Sequence, residues 1–201
     1  MFPLKDYNLA IPATHEGSFG KVRRHDIHTG VDLYIPEGST VYAIEDGTVV
    51  TVEDFTGVED SGPDSKYRYL YTQVVMVKGN SGVIAYGEVK PNVKEGDEIK
   101  EGDVVGHIMN VLPEDYEDHA PSRSMLHFEL YDSSATETTW WKKSEAQPEN
   151  LKDPTDLLRK LFRNKRQEAI DKAIKEAEDL GAYEISEHLT SEIDLDDEEK
   201  K

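Results

Sequence analysis

Between Val41 and Tyr131 the chain reads as short β-forming runs cut at close intervals by turn residues, a pattern that points to an all-β sandwich or barrel. VYAIEDGTVVTV, residues 41–52, reads as two short strands around Asp46-Gly47, a dipeptide that favours hairpins when apolar alternation flanks it. Residues 54–68 are turn formers and charges and read as a surface loop. YLYTQVVMVK and GVIAYGEV read as strands joined by the turn at Gly79-Asn80-Ser81-Gly82. Two Glu-Gly-Asp triplets, at Glu95 to Asp97 and Glu101 to Asp103, predict two tight turns with one short strand between them. Residues 111–124 read as a second irregular loop. MLHFELY then alternates: Leu126, Phe128 and Leu130 fall on one face, Met125, His127 and Glu129 on the other.

The end of the chain has a different period. Asp153-Pro154 reads as an N-cap followed by proline at the first helical position. Leu157, Leu158, Leu161 and Phe162 follow at helical spacing. The pattern predicts a helix through about Leu180, stopped by Gly181, with Ile170, Ile174 and Ala177 on one face. The expected organisation is a β-domain over 1–150, a helical extension over 151–190 and an acidic, unstructured tail over 191–201.

Composition narrows the chemistry. The chain has no cysteine, so any transition-metal site must use histidine and carboxylate ligands. Its formal net charge of −19 repels nucleic-acid phosphates and anionic lipid heads, which argues against both as partners. No run of eighteen apolar residues predicts a membrane span. The start, MFPLKDYNLA, lacks a basic segment and an apolar core, so no signal peptide is visible and a cytoplasmic location is expected.

His28 and Asp32 stand in HTGVDL at H-x-x-x-D spacing, and His127 lies on a distant predicted strand. Two ligands from one segment and a third from elsewhere can build a catalytic zinc site, which keeps three protein ligands and a fourth, open position. Taken alone, the spacing more often marks a surface or hydrogen-bonded pair than a metal site. The surrounding text decides. GSFGKVRRHDIHTGVDLYIPEGSTVYAIEDGTVV, then GVIAYGEV with VKEGDEIKEGDVVGHI, then MLHFEL resemble, in order over residues 10–131, the three motif blocks of the lysostaphin-type (LytM-like) zinc endopeptidases.

That resemblance implies a mainly β fold built on the family's duplicated hybrid motif, with the helical tail appended. It implies that His28, Asp32 and His127 bind zinc. The family uses two further histidines, in Y-x-H-L and at the start of H-L-H-F-E, to position the water and stabilise the tetrahedral intermediate. Those positions hold Glu88 and Met125. Methionine has no proton to exchange. Glu88 is a candidate general base, a candidate fourth ligand, or an idle solvent-facing residue. Arg23 and Arg24 stand where the family has its F-G-x-R arginine. Arg23 is a candidate for gripping a substrate carboxylate, and Tyr86 is a candidate groove wall or a core residue. Trp140-Trp141 reads as an exposed pair at the core edge. His107 and His119 could swing toward the metal. His25 reads as a surface neighbour, and His15 and His188 carry no motif.

The function these expectations describe is a zinc-binding peptidase-like protein directed at cell-wall peptide, with altered chemistry. The alternative is a family member without catalysis that binds or regulates a protein partner. A phage or virion setting would supply a wall-directed domain without a signal peptide. Sugar-phosphotransferase carriers share the hybrid motif but need two facing histidines whose motifs are missing here. Oligomeric state is not readable from the residues.

Overall fold

In the computed structural model, residues 1–24, 26–57, 69–114 and 123–180 are described. The expected acidic tail, the Gly181 stop, and His25, His119 and His188 lie outside them. The chain divides into two units, residues 1–159 and 160–201.

The first unit is organised around one hairpin. β4 (Thr72–Gly79) and β5 (Gly82–Pro91) pair antiparallel, and Gly79 opposite Gly82 closes the predicted turn. β5 is buried from Gly82 through Val89, so both its faces are covered and its sequence is apolar with little alternation. On one side it binds β4. On the other it binds β8 (Met125–Tyr131) as far as Gly87, then switches to β7 (Val104–Ile108) from Val89. β1 (Val31–Tyr34) pairs with β8, β3 (Gly47–Thr56) with β4, and β6 (Glu98–Ile99) with β3. β2 (Thr40–Tyr42) pairs with β7 and β9 (Leu151–Lys152) with β8. The result is one branched, nine-stranded antiparallel sheet.

The residues at Asp46-Gly47 do not close a hairpin. β2 and β3 flank them, but β2 binds β7 while β3 binds β4 and β6. Asp46 spends its carboxylate elsewhere, accepting from Glu101 N–H and Lys100 Nζ at 2.9 Å each. Gly47 is required for closeness: a Cβ there would lie 2.5 Å from the Lys78 carbonyl oxygen. β3 also continues through Thr56, so residues 54–56, read as loop, are strand. The two Glu-Gly-Asp turns are present and share one design. Asp97 N–H donates to Lys94 O and Asp103 N–H to Lys100 O, with Gly96 and Gly102 at φ 87° and 89°. Such a turn needs positive φ at its third residue, which glycine adopts without strain.

Val74, Met76, Val83, Ala85, Tyr131, Ala135 and Leu151 form a buried cluster on one face of the hairpin. On the other face Tyr86 is fully buried edge-on to Phe128, with ring centroids 5.7 Å apart, and its hydroxyl accepts the Ile44 N–H at 3.1 Å.

α1 (Thr155–Asp179) begins as predicted: the Asp153 carboxylate accepts the Thr155 N–H at 2.8 Å, with Pro154 between them. Ile170, Ala173, Ile174 and Ala177 are the least exposed positions of its second half. No helix among the described residues is long and apolar enough to cross a membrane.

Tyr86→Phe removes the only side-chain partner of the buried Ile44 N–H seen among the described residues. The expected cost is about 1–3 kcal/mol in urea unfolding, with the circular dichroism of the folded state unchanged. A variant as stable as the parent would show that this bond contributes nothing.

Candidate metal centre

The antiparallel register of β1 and β8 sets Asp32 directly opposite His127. His28, four residues before Asp32, enters from the segment leading into β1. Gly30 between them allows that approach. A Cβ at Gly30 would lie 2.6 Å from the Phe128 carbonyl oxygen and 2.8 Å from His127 Nε2. Three buried atoms therefore converge. Asp32 Oδ1 lies 3.1 Å from His28 Nε2 and 2.8 Å from His127 Nδ1, and the two ring nitrogens are 3.1 Å apart.

The outer contacts fix which lone pairs face inward. His28 Nδ1 lies 2.8 Å from the Ser18 carbonyl oxygen; a carbonyl only accepts, so Nδ1 carries the proton and Nε2 presents a lone pair. His127 Nε2 lies 3.0 Å from Glu129 Oε1 and donates to it, turning Nδ1 inward. Glu129 is held in turn by the Tyr131 hydroxyl at 2.8 Å. Arg23 Nη2 donates to Asp32 Oδ2 at 2.5 Å, leaving Oδ1 for the centre. An inward set of two imidazole nitrogens and one carboxylate oxygen calls for a cation. The three residues form the group among those described that could hold a metal ion.

His28 and Asp32 hold the ionisation states that a ligand needs, and His127 holds a proton. Burial holds His28 below its ordinary value and so neutral, as a ligand must be. Burial alone would raise Asp32, but His28, His127 and Arg23 outweigh it and hold the carboxyl well below the usual range. Burial also opposes a charge on His127, yet the carboxylates of Asp32 and Glu129 prevail and push it up to about 10. The carboxylates of Asp32 and Glu129 thus favour a proton on the His127 ring, and a cation bound at Nδ1 would take that proton's place.

Glu88 sits where β5 changes partners. Gln73 pairs with Val89 and Val75 with Tyr86, so Gly87 and Glu88 together face Val74 in a bulge, and Glu88 has φ 65°. A bulge re-aims a side chain. The Glu88 carboxylate is buried and is not among the three converging groups. Its Oε2 accepts from Thr72 Oγ1 at 2.6 Å and Thr56 Oγ1 at 3.1 Å. Burial pushes its pKa up to about 7, against the Thr72 hydroxyl, the His127 charge and the Thr56 hydroxyl. It is therefore neither solvent-facing nor, in this geometry, a fourth ligand. Beside it the Phe55 ring fills the space that a side chain at Gly87 would take, 5.3 Å from the His127 ring.

Two candidate substrate contacts are placed otherwise. Arg23 is spent on Asp32 and on the Glu16 carbonyl oxygen, which lies 2.9 and 3.3 Å from its donors, so in this geometry it orients the Asp32 carboxylate and has no free fork for a substrate. Tyr86 is 1% exposed, because a central strand with both faces covered leaves it no route to a groove. Met125 shares the His127 face of β8, opposite Tyr34. His107 lies on β7 opposite Thr40 and Lys90, outside the converging group. His15 stacks on Tyr34, with centroids 6.2 Å apart. Trp140 is exposed, and Trp141 packs on Phe19 at 5.8 Å. Glu129 had only its place in the alternation of MLHFELY, two residues from His127, to signal its role.

Residues 26–139 match the family described as peptidase family M23, and the chain belongs to that family. No curated protein matches it. Among solved structures it is similar to the solution structure of lysostaphin, at 23% identity over 67% of this chain and 44% of that one, with a TM-score of 0.40. A zinc-containing peptidase from Vibrio cholerae is 22% identical over 64% of this chain and 35% of that one, at 0.42. LytU is 19% identical over 76% and 87%, at 0.47. The chain spans less than half the length of the first two.

Gly30→Ala drives a methyl group into the Phe128 carbonyl and the His127 ring. It is expected to lower stability by about 1–3 kcal/mol in denaturant titration. An unchanged midpoint would show that the segment before β1 yields freely.

Proposed function

We propose that the chain is a zinc-dependent peptide hydrolase directed at bacterial cell-wall peptide, with Glu88 standing in for a helper histidine as general base. The observation that carries this reading is the inward set of lone pairs on His28, Asp32 and His127, each backed by an outer partner. Outer partners of this kind fix tautomers and orient ligands at metal sites. The two-nitrogen, one-oxygen donor set suits zinc, and membership of the peptidase family points to amide hydrolysis. Zinc held there would polarise a peptide carbonyl and activate water.

Glu88 supplies the proton handling. Thr56 and Thr72 hold Oε2, and Oε1 has no partner among the described residues. A carboxylate poised near neutral pH can take a proton and return it to the leaving amine. The Ser18 carbonyl, Arg23 and Glu129 keep the ligands oriented. Met125 replaces a histidine with a thioether that donates nothing. The missing donor is expected to slow hydrolysis by roughly a hundred- to a thousand-fold. Met125 also favours a second reading, in which the domain binds cell-wall peptide or a protein partner without cutting it.

Protein purified without chelator is expected to carry about one zinc per chain by elemental mass spectrometry. His127→Ala should abolish it, and Glu129→Gln should weaken affinity about 10–100-fold. Full zinc content in His127→Ala would remove the ligand assignment.

Release of peptides from purified cell wall should rise with pH through about 7, because Glu88 accepts a proton only once ionised. That limb should be absent in Glu88→Gln. A zinc-loaded parent with no release would favour the binding module, and an active Glu88→Gln would show that the base lies elsewhere.

A further inference from the structure

Past the Tyr34–Met125 pair, two residues along the strands from Asp32 and His127, lies an open surface cleft of about 550 Å3. Tyr34, Ile35 and Pro36 give it an apolar wall, and Glu37, Asn110 and Arg123 bring polar groups into it. Its floor is fixed by the backbone. Ser124 Oγ donates to the Ile35 carbonyl oxygen at 2.7 Å, and Val111 N–H donates to the Arg123 carbonyl oxygen at 2.8 Å.

The polar groups are not equivalent. Glu37 is steadied by Asn110, whose Nδ2 donates to Glu37 Oε2 at 2.7 Å. The Arg123 guanidinium, half-buried at the cleft, has no carboxylate within 4.0 Å and no hydrogen bond among the described residues. In a chain with 42 acidic and 23 basic side chains, a half-buried arginine with no acidic partner among the described residues is open to the carboxylate of a ligand. Guanidinium forks match carboxylates bidentately.

We propose that this cleft is a subsite for a peptide residue bearing a free carboxylate, which Arg123 grips while Glu37 takes an N–H or ammonium of the same residue. The peptide then runs beside β1 and β8 toward the metal centre. Arg123 precedes His127 by four positions, roughly 13 Å of extended strand, so the gripped carboxylate lies about four residues from the bond at the metal. The direction of the peptide rests on the hydrolase reading; the preference of the cleft for a carboxylate does not.

The test uses the full chain stripped of metal by chelator, so that no metal competes for the carboxylate. The probes are N-acetyl-trialanine as the free acid and as the carboxamide, titrated by calorimetry and by amide shifts of Ile35 and Ser124. The acid is expected to bind about tenfold or more tightly than the amide. Arg123→Gln should erase that preference, and Arg123→Lys, which keeps the charge but loses the fork, should leave a reduced one. Equal affinities in the parent, or an undiminished acid preference in Arg123→Gln, would overturn the proposal. An acid preference that appears only after zinc is added would overturn it too, by assigning the carboxylate to the metal. A preference that survives in a chain unable to bind zinc would uphold the cleft even if the hydrolase reading failed.

Discussion

The centre depends on three lone pairs forced toward one point inside the fold. Left uncompensated, a buried carboxylate oxygen and two imidazole nitrogens within 3.1 Å of one another would repel. Each is turned inward by a partner that uses its other side: the Ser18 carbonyl, Glu129 and Arg23. Those partners come from separate segments, so the geometry of the centre is inherited from the whole β-domain. The pairing of β1 with β8 is the most demanding part, because a slip by one residue would turn His127 to the opposite face.

The frame that holds this register is β5. It is buried on both faces and hydrogen-bonded to β4, β7 and β8, so the strand that carries Glu88 is paired directly to the strand that carries His127. Glycine makes the closest approaches possible: Gly87 admits the Phe55 ring beside His127, and Gly30 lets the His28 segment pass under β8.

Much of this was legible in the residues. The alternation in MLHFELY placed His127 and Glu129 together, the twin Glu-Gly-Asp turns were visible as repeats, and Asp153-Pro154 marked the helix start correctly. H-x-x-x-D showed two members of the converging group. Strand partners were not legible: Asp46-Gly47 carries a local hairpin signal, but the long-range pull of Lys100 and Glu101 on Asp46 and of β4 on β3 prevails. Arg23 and Tyr86 could not be assigned from sequence because their roles depend on what surrounds them. An arginine beside a buried aspartate is taken up by it, and a tyrosine on a doubly covered strand belongs to the core. The burial of Phe2, Leu4 and Tyr7 likewise left no periodic trace in a segment without regular structure.

The left-handed backbone at Glu88 limits what this position can become. β-Branched side chains are strongly disfavoured there whatever their chemistry, whereas glycine, asparagine, aspartate and histidine tolerate such a conformation better. Exchange at the position is filtered by conformation before it is filtered by reactivity. The kink in β5 thereby sets which side chains can stand beside the His28–Asp32–His127 centre before their reactivity is considered.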